Sequence, residues 1–239
     1  MNKTIIATLL AGLVSFTAQA SEWGYGDHNG PEDWGKISQT CALGRNQSPI
    51  NITDAVAGDM QDLSISYSGK VTGLKNNGHT LQAIVEGHNV LNVDGHEFEL
   101  KQFHFHTPSE NLIKSKQYPL EAHFVHADKD GNLAVVAVMF EVNSENAEIA
   151  KLSADLPEEG NTVTLKEAFN IADLLPSYES YYRFNGSLTT PPCSEGVRWF
   201  VLNETKSISA TQEKALNKMM GNNNRPVQDI WARRVMFSK

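Results

Sequence analysis

Two short stretches of the chain carry histidines in an alternating pattern. The first is Gln102-Phe103-His104-Phe105-His106 and the second is Glu121-Ala122-His123. Successive side chains of a β-strand point to opposite faces, so the polar residues of each stretch would share one face. If the two stretches are neighbouring strands, three imidazoles converge on one point. The spacing therefore predicts a metal site.

Three imidazoles with one open position are typical of catalytic zinc, whereas structural zinc sites are closed by four ligands that are mostly cysteines. This chain has only two cysteines. A metal-bound imidazole usually donates its other N–H to a fixed acceptor. Gln102 and Glu121 stand two residues before a histidine and are the predicted acceptors. A single His-x-His is more often the polar edge of a sheet, but two such units in succession favour zinc.

The elements that would hold these residues are mainly strands. Short runs rich in β-branched and aromatic residues alternate with Asn-Gly and Asp-Gly turns, which indicates a mostly antiparallel sheet. The predicted strands are Leu63–Tyr67, Thr80–Val85, Val90–Val93, Phe98–His106, Leu120–His126, Leu133–Val142 and Val197–Leu202. One helix is expected after Ser144, and another from Ser209, with Gln212 completing a capping box, to Gly221. The predicted fold class is mainly β, with a few peripheral short helices.

The first twenty residues are typical of a secretory signal peptide. Lys3 is followed by an apolar run from Ile5 to Phe16 and by the small-x-small site Ala18-Gln19-Ala20. Residues 21–239 are then one catalytic domain, and no later run is long enough to insert in a membrane. The formal net charge of −8, without a basic stripe, argues against nucleic acid as a partner. Export to the bacterial periplasm is expected, and a homodimer remains open.

The two cysteines, Cys41 and Cys193, would enter an oxidising compartment with the exported chain. A pair of cysteines there is more often bridged than free. One disulfide is the prediction, and a buried free pair is the alternative.

Several motifs together resemble those of the α-class carbonic anhydrases, in particular the compact secreted bacterial members. The resemblance covers nearly the whole chain after the signal peptide. The motifs beyond the two histidine stretches are Trp23-Gly24-Tyr25-Gly26, Asn29-Gly30-Pro31, Gln47-Ser48-Pro49-Ile50, Asn76-Asn77-Gly78-His79, Ser109-Glu110, Ser187-Leu188-Thr189-Thr190-Pro191-Pro192 and Asn224-Arg225-Pro226.

This resemblance implies a large twisted sheet with a conical cleft that has Zn²⁺ at its floor, held by His104, His106 and His123. It implies the reversible hydration of carbon dioxide to bicarbonate and a proton, by attack of zinc-bound hydroxide on CO₂. It also implies two orienting residues: Thr189 accepts the hydroxide's hydrogen and donates its own to Glu110.

The resemblance further implies that His79 is a proton shuttle and that an apolar wall holds carbon dioxide beside the zinc. The matching substrate-side residues are Val125, Val135, Leu188, Thr190, Val197 and Trp199. His126 has the wrong parity to join His123 and is predicted to be buried and hydrogen-bonded.

Two alternatives come from other classes of protein. A non-catalytic binding module related to this family would have a damaged triad, but the three histidines, Glu110 and Thr189 are all present. A secreted zinc-binding or copper–zinc redox β protein would need further metal ligands, and the remaining histidines have no paired spacing.

Overall fold

A large twisted β-sheet dominates the structure, a computed structural model that describes residues 23–238. The strands are β1 (Asn51–Ile52), β2 (Ala55–Gly58), β3 (Ser64–Tyr67), β4 (Lys70–Asn76), β5 (Leu81–Glu86), β6 (Asn89–Val93), β7 (His96–His106), β8 (Leu112–Ile113), β9 (Leu120–Ala127), β10 (Leu133–Val142), β11 (Thr162–Asn170), β12 (Tyr181–Ser187), β13 (Glu195–Leu202), β14 (Lys206–Ile208) and β15 (Val235–Ser238). The predicted mainly-β class is confirmed.

The main sheet runs in the order β11-β4-β5-β7-β9-β10-β13-β12-β15-β2. Most neighbours are antiparallel, as predicted, including β7 with β9 and β9 with β10. The sheet is nevertheless mixed, because β10 lies parallel to β13 and to β14, and β15 lies parallel to β2. Strand β3 joins through β6, which pairs with β7. A separate parallel pair joins β1 to β8.

The helices are short and lie outside the sheet. They are α1 (Trp34–Ile37), α2 (Gln39–Leu43), α3 (Ala147–Ser153), a 3₁₀ turn (Ile171–Leu174) and α4 (Ala210–Met220). The predicted capping box is present, since the Ser209 side chain accepts from the Gln212 N–H and the Gln212 side chain accepts from the Ser209 N–H. Helix α4 ends as predicted at Gly221, whose φ of 65° is one that glycine adopts without strain.

The central strand β10 shows how the sheet is packed on both faces. Alternate residues of this strand enter two different hydrophobic clusters. Val136, Val138 and Phe140 belong to the larger cluster on one face, and Val135 and Met139 belong to a smaller cluster on the other. An almost continuous apolar run can fill both faces because strand side chains alternate. The smaller cluster lies on the same face as the three histidines.

A β-bulge sets the direction of the histidines on β7. Leu100 pairs with His126 on β9, but the next pair is Gln102 with Val125, so Lys101 is the additional residue. Before the bulge Leu100 faces the larger cluster, and after it Phe103 does, although the two positions differ in parity. Bulges commonly re-aim side chains beside functional sites. The alternation predicted for residues 102–106 is confirmed, while the bulge was not predicted.

Strands with weak apolar alternation escaped prediction. β11 has mostly exposed side chains, and β4 contains Gly73. β12 contains Asn185-Gly186, a pair that is normally a turn signal. This position within the strand needs a glycine, because a Cβ on Gly186 would come within 2.1 Å of the Ser48 hydroxyl and 2.8 Å of the Trp199 ring.

Cys41 and Cys193 form a disulfide across a separation of 152 residues, as predicted. Closing a loop of this length stabilises a protein by about 5 kcal/mol in chain-entropy theory. The bridge packs with Trp34, and Trp23 and Tyr25 lie against the same cluster. Within residues 23–238, no helix is long and apolar enough to cross a bilayer. The predicted signal peptide, residues 1–20, lies outside the described residues.

His126 is buried on the face opposite the three-histidine cluster, as its parity predicted. Its Nε2 lies 2.5 Å from the Tyr67 hydroxyl, and its Nδ1 lies 3.2 Å from the Ala134 carbonyl oxygen. Burial lowers the pKa of His126 from 6.5 to about 4. Between pH 6.5 and 4 the unfolded chain therefore binds a proton that the folded chain does not. The free energy of unfolding should fall as the pH falls through this range.

We expect the free energy of unfolding to fall by about 2 kcal/mol between pH 7 and pH 5 on account of His126. In this range His126 takes up a proton in the unfolded chain while it stays neutral in the folded protein. The double variant Tyr67→Phe/His126→Leu removes the pair, so its free energy of unfolding should depend less on pH by that amount. Urea unfolding of both proteins at the two pH values measures the difference. An equal pH dependence would contradict the assignment, because the other histidines are common to both proteins.

Candidate metal centre

The three predicted histidines meet on one face of the sheet. His104 on β7 pairs directly with His123 on β9, and His106 lies two residues further along β7. One ligand atom from each lies within 4.8 Å of the other two. His106 and His123 are buried, while His104 is half-buried and lines a cleft open to solvent. The predicted convergence of the three imidazoles is confirmed.

Each imidazole has one nitrogen within 2.8 Å of a neighbouring acceptor. Nδ1 of His104 lies 2.8 Å from Oε1 of Gln102, and Nδ1 of His106 lies 2.8 Å from the main-chain oxygen of Asn223. Nε2 of His123 lies 2.8 Å from Oε1 of Glu121. The direction of this contact does not suit a hydrogen bond. The second nitrogen of each ring is thus the candidate metal ligand.

The electrostatics of the cluster favour neutral imidazoles. Burial lowers the pKa of all three histidines. For His104 and His123 the neighbouring imidazole of His106 lowers it further, whereas for His106 the Asn223 carbonyl partly opposes the shift. Only a neutral imidazole has a lone pair for a metal ion. The three rings are thus held in the protonation state that metal binding requires.

Glu121 is a buried carboxylate that is fixed from three directions. Its Oε2 accepts from the N–H groups of Glu110 (2.7 Å) and Asn111 (2.9 Å), and its Oε1 accepts from Nδ2 of Asn111 (2.8 Å). Burial raises the pKa of Glu121, and the bonds from Asn111 oppose this shift. A carboxylate held in this way is placed to orient the His123 ring, whose Nε2 lies 2.8 Å away.

Glu110 lies between the histidine cluster and the chain segment after α4. Its Oε1 accepts a hydrogen bond of 2.8 Å from the main-chain N–H of Arg225. Its Oε2 lies 3.5 Å from Nε2 of His106 and 3.8 Å from Nδ1 of His123. Burial raises the pKa of Glu110, while the Arg225 N–H and the hydroxyl of Thr189 lower it. Thr189, which was grouped with Glu110 only by resemblance, thus lies near enough to influence this carboxyl.

The loop that carries Thr189 is joined to the N-terminal part of the chain by buried polar groups. The Arg225 guanidinium is 2% exposed and donates to Oε1 of Gln47 (2.9 Å) and to the carbonyls of Ser48 (2.7 Å) and Cys41 (2.9 Å). Nε2 of Gln47 donates to the Cys193 carbonyl at 3.0 Å. The carbonyls of both disulfide cysteines are thus held by one Arg–Gln pair.

A cleft of about 140 Å³ reaches the cluster from the surface, and His104 and His106 lie on its wall. His79, in the turn before β5, lines the same cleft and is half-buried. Its ring stacks on Trp23, with centroids 3.8 Å apart and planes 11° apart. Thr190 also lines the cleft.

The predicted apolar wall is one contiguous group beside the cluster. Val135, Val197 and Trp199 are buried in the smaller hydrophobic cluster, and Val125 and Leu188 pack against it half-buried. The Trp199 ring lies 4.9 Å from the His123 ring in an edge-to-face arrangement.

Several residues of the site were not predicted to act there. Asn111 and Asn223 hold Glu121 and His106, and they had no motif of their own. Gln47 and Arg225 were noticed only as parts of family motifs. Burying an asparagine or arginine costs free energy unless its polar groups are hydrogen-bonded. No periodic pattern in the sequence shows which loop residues are buried.

Fold and site together define a protein built on a large mixed sheet, with a three-histidine candidate metal centre at the floor of a cleft. Residues 29–239 match the family described as eukaryotic-type carbonic anhydrase. A carbonic anhydrase of Neisseria gonorrhoeae is 42% identical over 241 residues, which cover 97% of this chain and 96% of the relative.

Solved structures agree with this match. The α-carbonic anhydrase of Photobacterium profundum has a TM-score of 0.88 and 57% identity, over 90% of this chain and 100% of that one. The α-carbonic anhydrase of Thermovibrio ammonificans, in complex with the inhibitor sulfanilamide, has a TM-score of 0.87 and 47% identity, over 90% of this chain and 98% of that one. The chain belongs to the eukaryotic-type, or α-class, carbonic anhydrase family.

Replacing Glu121 with Gln should weaken metal binding roughly 10- to 100-fold, because the ring of His123 loses its fixed acceptor. The dissociation constant for Zn²⁺ can be measured by competition with a chromophoric chelator. Glu99→Gln, which alters an exposed carboxylate on β7, is the matched control and should bind normally. An unchanged dissociation constant in Glu121→Gln would show that this carboxylate does not support the site.

Proposed function

We propose that this protein catalyses the reversible hydration of carbon dioxide to bicarbonate and a proton, with Zn²⁺ held by His104, His106 and His123. The observation that carries the proposal is the state of Nε2 of His106. This nitrogen is buried and has no hydrogen-bond partner, and His106 is one of three histidines that each place a ligand atom within 4.8 Å of the others. An unpaired buried polar atom is costly unless something binds it.

Zinc suits this set of ligands better than a metal that prefers oxygen or sulfur. Three neutral imidazoles with an open fourth position are its usual catalytic arrangement. Both cysteines are joined in the disulfide and cannot serve as ligands. When bound, zinc would act as a Lewis acid that lowers the pKa of a water molecule to about 7, as is known for the three-histidine site of carbonic anhydrases.

Thr189 and Glu110 would orient the attacking water. Oε1 of Glu110 is occupied by the Arg225 N–H, which leaves its other oxygen for the Thr189 hydroxyl. If Thr189 donates there, its oxygen can only accept, and a hydrogen of the attacking water must point toward it. An oxygen lone pair of that water is then directed to the substrate carbon. A cation at the cluster would favour ionised Glu110 and oppose the effect of burial on its pKa.

Carbon dioxide is apolar and would lie against Val125, Leu188 and the edge of Trp199. Val135 and Val197 support this wall from behind, since both are buried. An apolar wall gives carbon dioxide a place without competing for the hydrogen bonds that orient water. Thr190, on the polar side of the cleft, would contact the product bicarbonate.

His79 would carry the released proton out of the cleft. The unperturbed pKa of histidine is about 6.5, close to that of the water it must deprotonate, so transfer is nearly level in free energy. The ring lies in the same cleft as His104 and stacks on Trp23.

The bacterial periplasm is the proposed location. The disulfide is typical of proteins from oxidising compartments, and the predicted signal peptide agrees with export.

Removal of the metal should abolish carbon dioxide hydration, and one Zn²⁺ per chain should restore it. Stopped-flow measurement of the pH change, before and after treatment with a zinc chelator, tests this directly. His123→Ala should bind little zinc and stay inactive, whereas His96→Ala, at an exposed position, should behave like the native protein. Full activity in metal-free protein would overturn the proposal.

Replacing His79 with Ala should lower maximal turnover in weak buffer on the order of 10-fold or more, since a positioned proton-transfer group contributes roughly 10²- to 10⁴-fold. Zinc content and kcat/KM for carbon dioxide should stay nearly unchanged, and added imidazole should restore part of the turnover. His88→Ala, an exposed histidine, is the control. A fall in kcat/KM equal to that in kcat would place His79 in the metal or substrate step instead.

A further inference from the structure

Asn223 is fully buried in the loop after α4, and every polar group it carries is hydrogen-bonded. Its main-chain N–H donates to the Thr107 carbonyl (3.2 Å) and its carbonyl oxygen lies 2.8 Å from Nδ1 of His106. Its side-chain Oδ1 accepts from the Thr107 N–H (2.8 Å). Its Nδ2 donates to the carbonyls of Phe105 and His79, both at 3.0 Å.

These contacts divide into two groups with different consequences. The main chain of Asn223 orients His106, and any residue at this position would retain that carbonyl. The side-chain amide instead joins the end of β7 to the turn that carries His79. Since Phe105 and Thr107 flank His106, the amide connects the strand of a metal ligand to the main chain of His79.

The His79 main chain is held from both sides. Oδ1 of Asn77 accepts from the N–H of His79 (3.0 Å) and from the N–H of Thr80 (2.9 Å), within the turn itself. The His79 carbonyl is held by Asn223, which lies 144 residues away in sequence. The Thr80 hydroxyl donates to the same Phe105 carbonyl at 2.5 Å. The Asn77 contacts hold the turn internally, whereas the Asn223 contact fixes the turn relative to the sheet.

We propose that the side chain of Asn223 is a positioning residue for proton transfer, which fixes the main chain of His79 at a set distance from the histidine cluster. The proposal rests on the proposed function, because it takes His79 as the proton carrier. With its main chain fixed, the His79 ring can move only about its own side-chain torsions, between Trp23 and the interior of the cleft. Displacement of the turn would lengthen the path along which water carries the proton.

Only an amide satisfies all of these contacts at once. One end must accept from the Thr107 N–H, while the other must donate two hydrogens to two carbonyl oxygens. In Asn223→Asp the shape is preserved, but a carboxylate oxygen would face the carbonyls of His79 and Phe105 and repel them. Asn223→Ser is smaller and uncharged, and it leaves the His79 carbonyl without its donor.

In Asn223→Asp we expect maximal turnover in weak buffer to fall roughly 10-fold, because a displacement of about 1 Å can cost on the order of 100-fold. Zinc content and kcat/KM for carbon dioxide should stay within about two-fold of the native protein, since the carbonyl that orients His106 is retained. Imidazole in solution should restore turnover, as a loss of structure would not allow. Asn222→Asp adds the same charge at the exposed neighbouring position and should leave turnover unchanged.

The decisive measurement repeats Asn223→Asp in a His79→Ala background. If Asn223 acts through His79, the substitution should lower turnover no further there. A further fall of similar size in that background would overturn the proposal, as would normal turnover of folded Asn223→Asp in weak buffer. A fall in kcat/KM equal to that in kcat would assign the residue to the metal or substrate step and also overturn it.

Failure of the proposed function gives a different result, since His79→Ala alone would then leave turnover unchanged. Circular dichroism and zinc content establish whether Asn223→Asp is folded. If it is not, Asn223→Ser must show the same separation of kcat from kcat/KM. Loss of folding in both variants would assign Asn223 to stability and overturn the proposal.

Discussion

The direct pairing of His104 with His123 across β7 and β9 is the constraint on which the rest of the site depends. Antiparallel neighbours in register bring side chains on one face within about 5 Å of each other. His106 joins them because it lies two residues further along the same strand. A shift of one residue in this register would turn the imidazoles toward the opposite, apolar face. The two strands must therefore be fixed relative to each other.

The opposite face of the sheet supplies that rigidity. Phe103 and Phe124, a directly paired couple, stack 4.8 Å apart on the side away from the histidines. Both are fully buried in the larger hydrophobic cluster. Slippage of β7 along β9 would expose these rings and bury the imidazoles among them, at a cost of several kcal/mol for the aromatic side chains alone. The same alternation that aims the histidines thus stabilises their alignment.

Loops hold the groups that do not bind metal, and they are fixed by polar contacts between distant parts of the chain. Arg225 is 184 residues from Cys41 and 115 from Glu110, yet it contacts both. Its buried guanidinium donates to Gln47 and to main-chain carbonyls and stacks over the Trp34 ring at 5.7 Å. Such a cation is stable only while its donors are paired. The disulfide joins the segment that supplies these acceptors to the loop of Cys193, whose carbonyl accepts from Gln47.

The strand part of the site could be predicted from the sequence because its information is local. Alternation within residues 102–106 and 121–123 is enough to aim the three imidazoles, Gln102 and Glu121, and His126 was separated from them by the same parity. The bulge at Lys101 was not predictable, since it appears only in the pairing of two strands. Residue types around it, Leu100 and Gln102, give no sign of an additional residue.

The remaining contacts depend on the closed topology. Asn111 and Asn223 lie in loops, where a polar residue is ordinary, and only the packing of those loops against the sheet buries them. Motif resemblance grouped Glu110 with Thr189 without giving the contact that connects Glu110 to Arg225. Local alternation specifies which atoms can bind a metal, whereas long-range loop packing specifies how water and protons are oriented around it. Substitutions that change the orientation of water and protons without changing the metal ligands are therefore expected in the loops, at buried polar residues that belong to no motif.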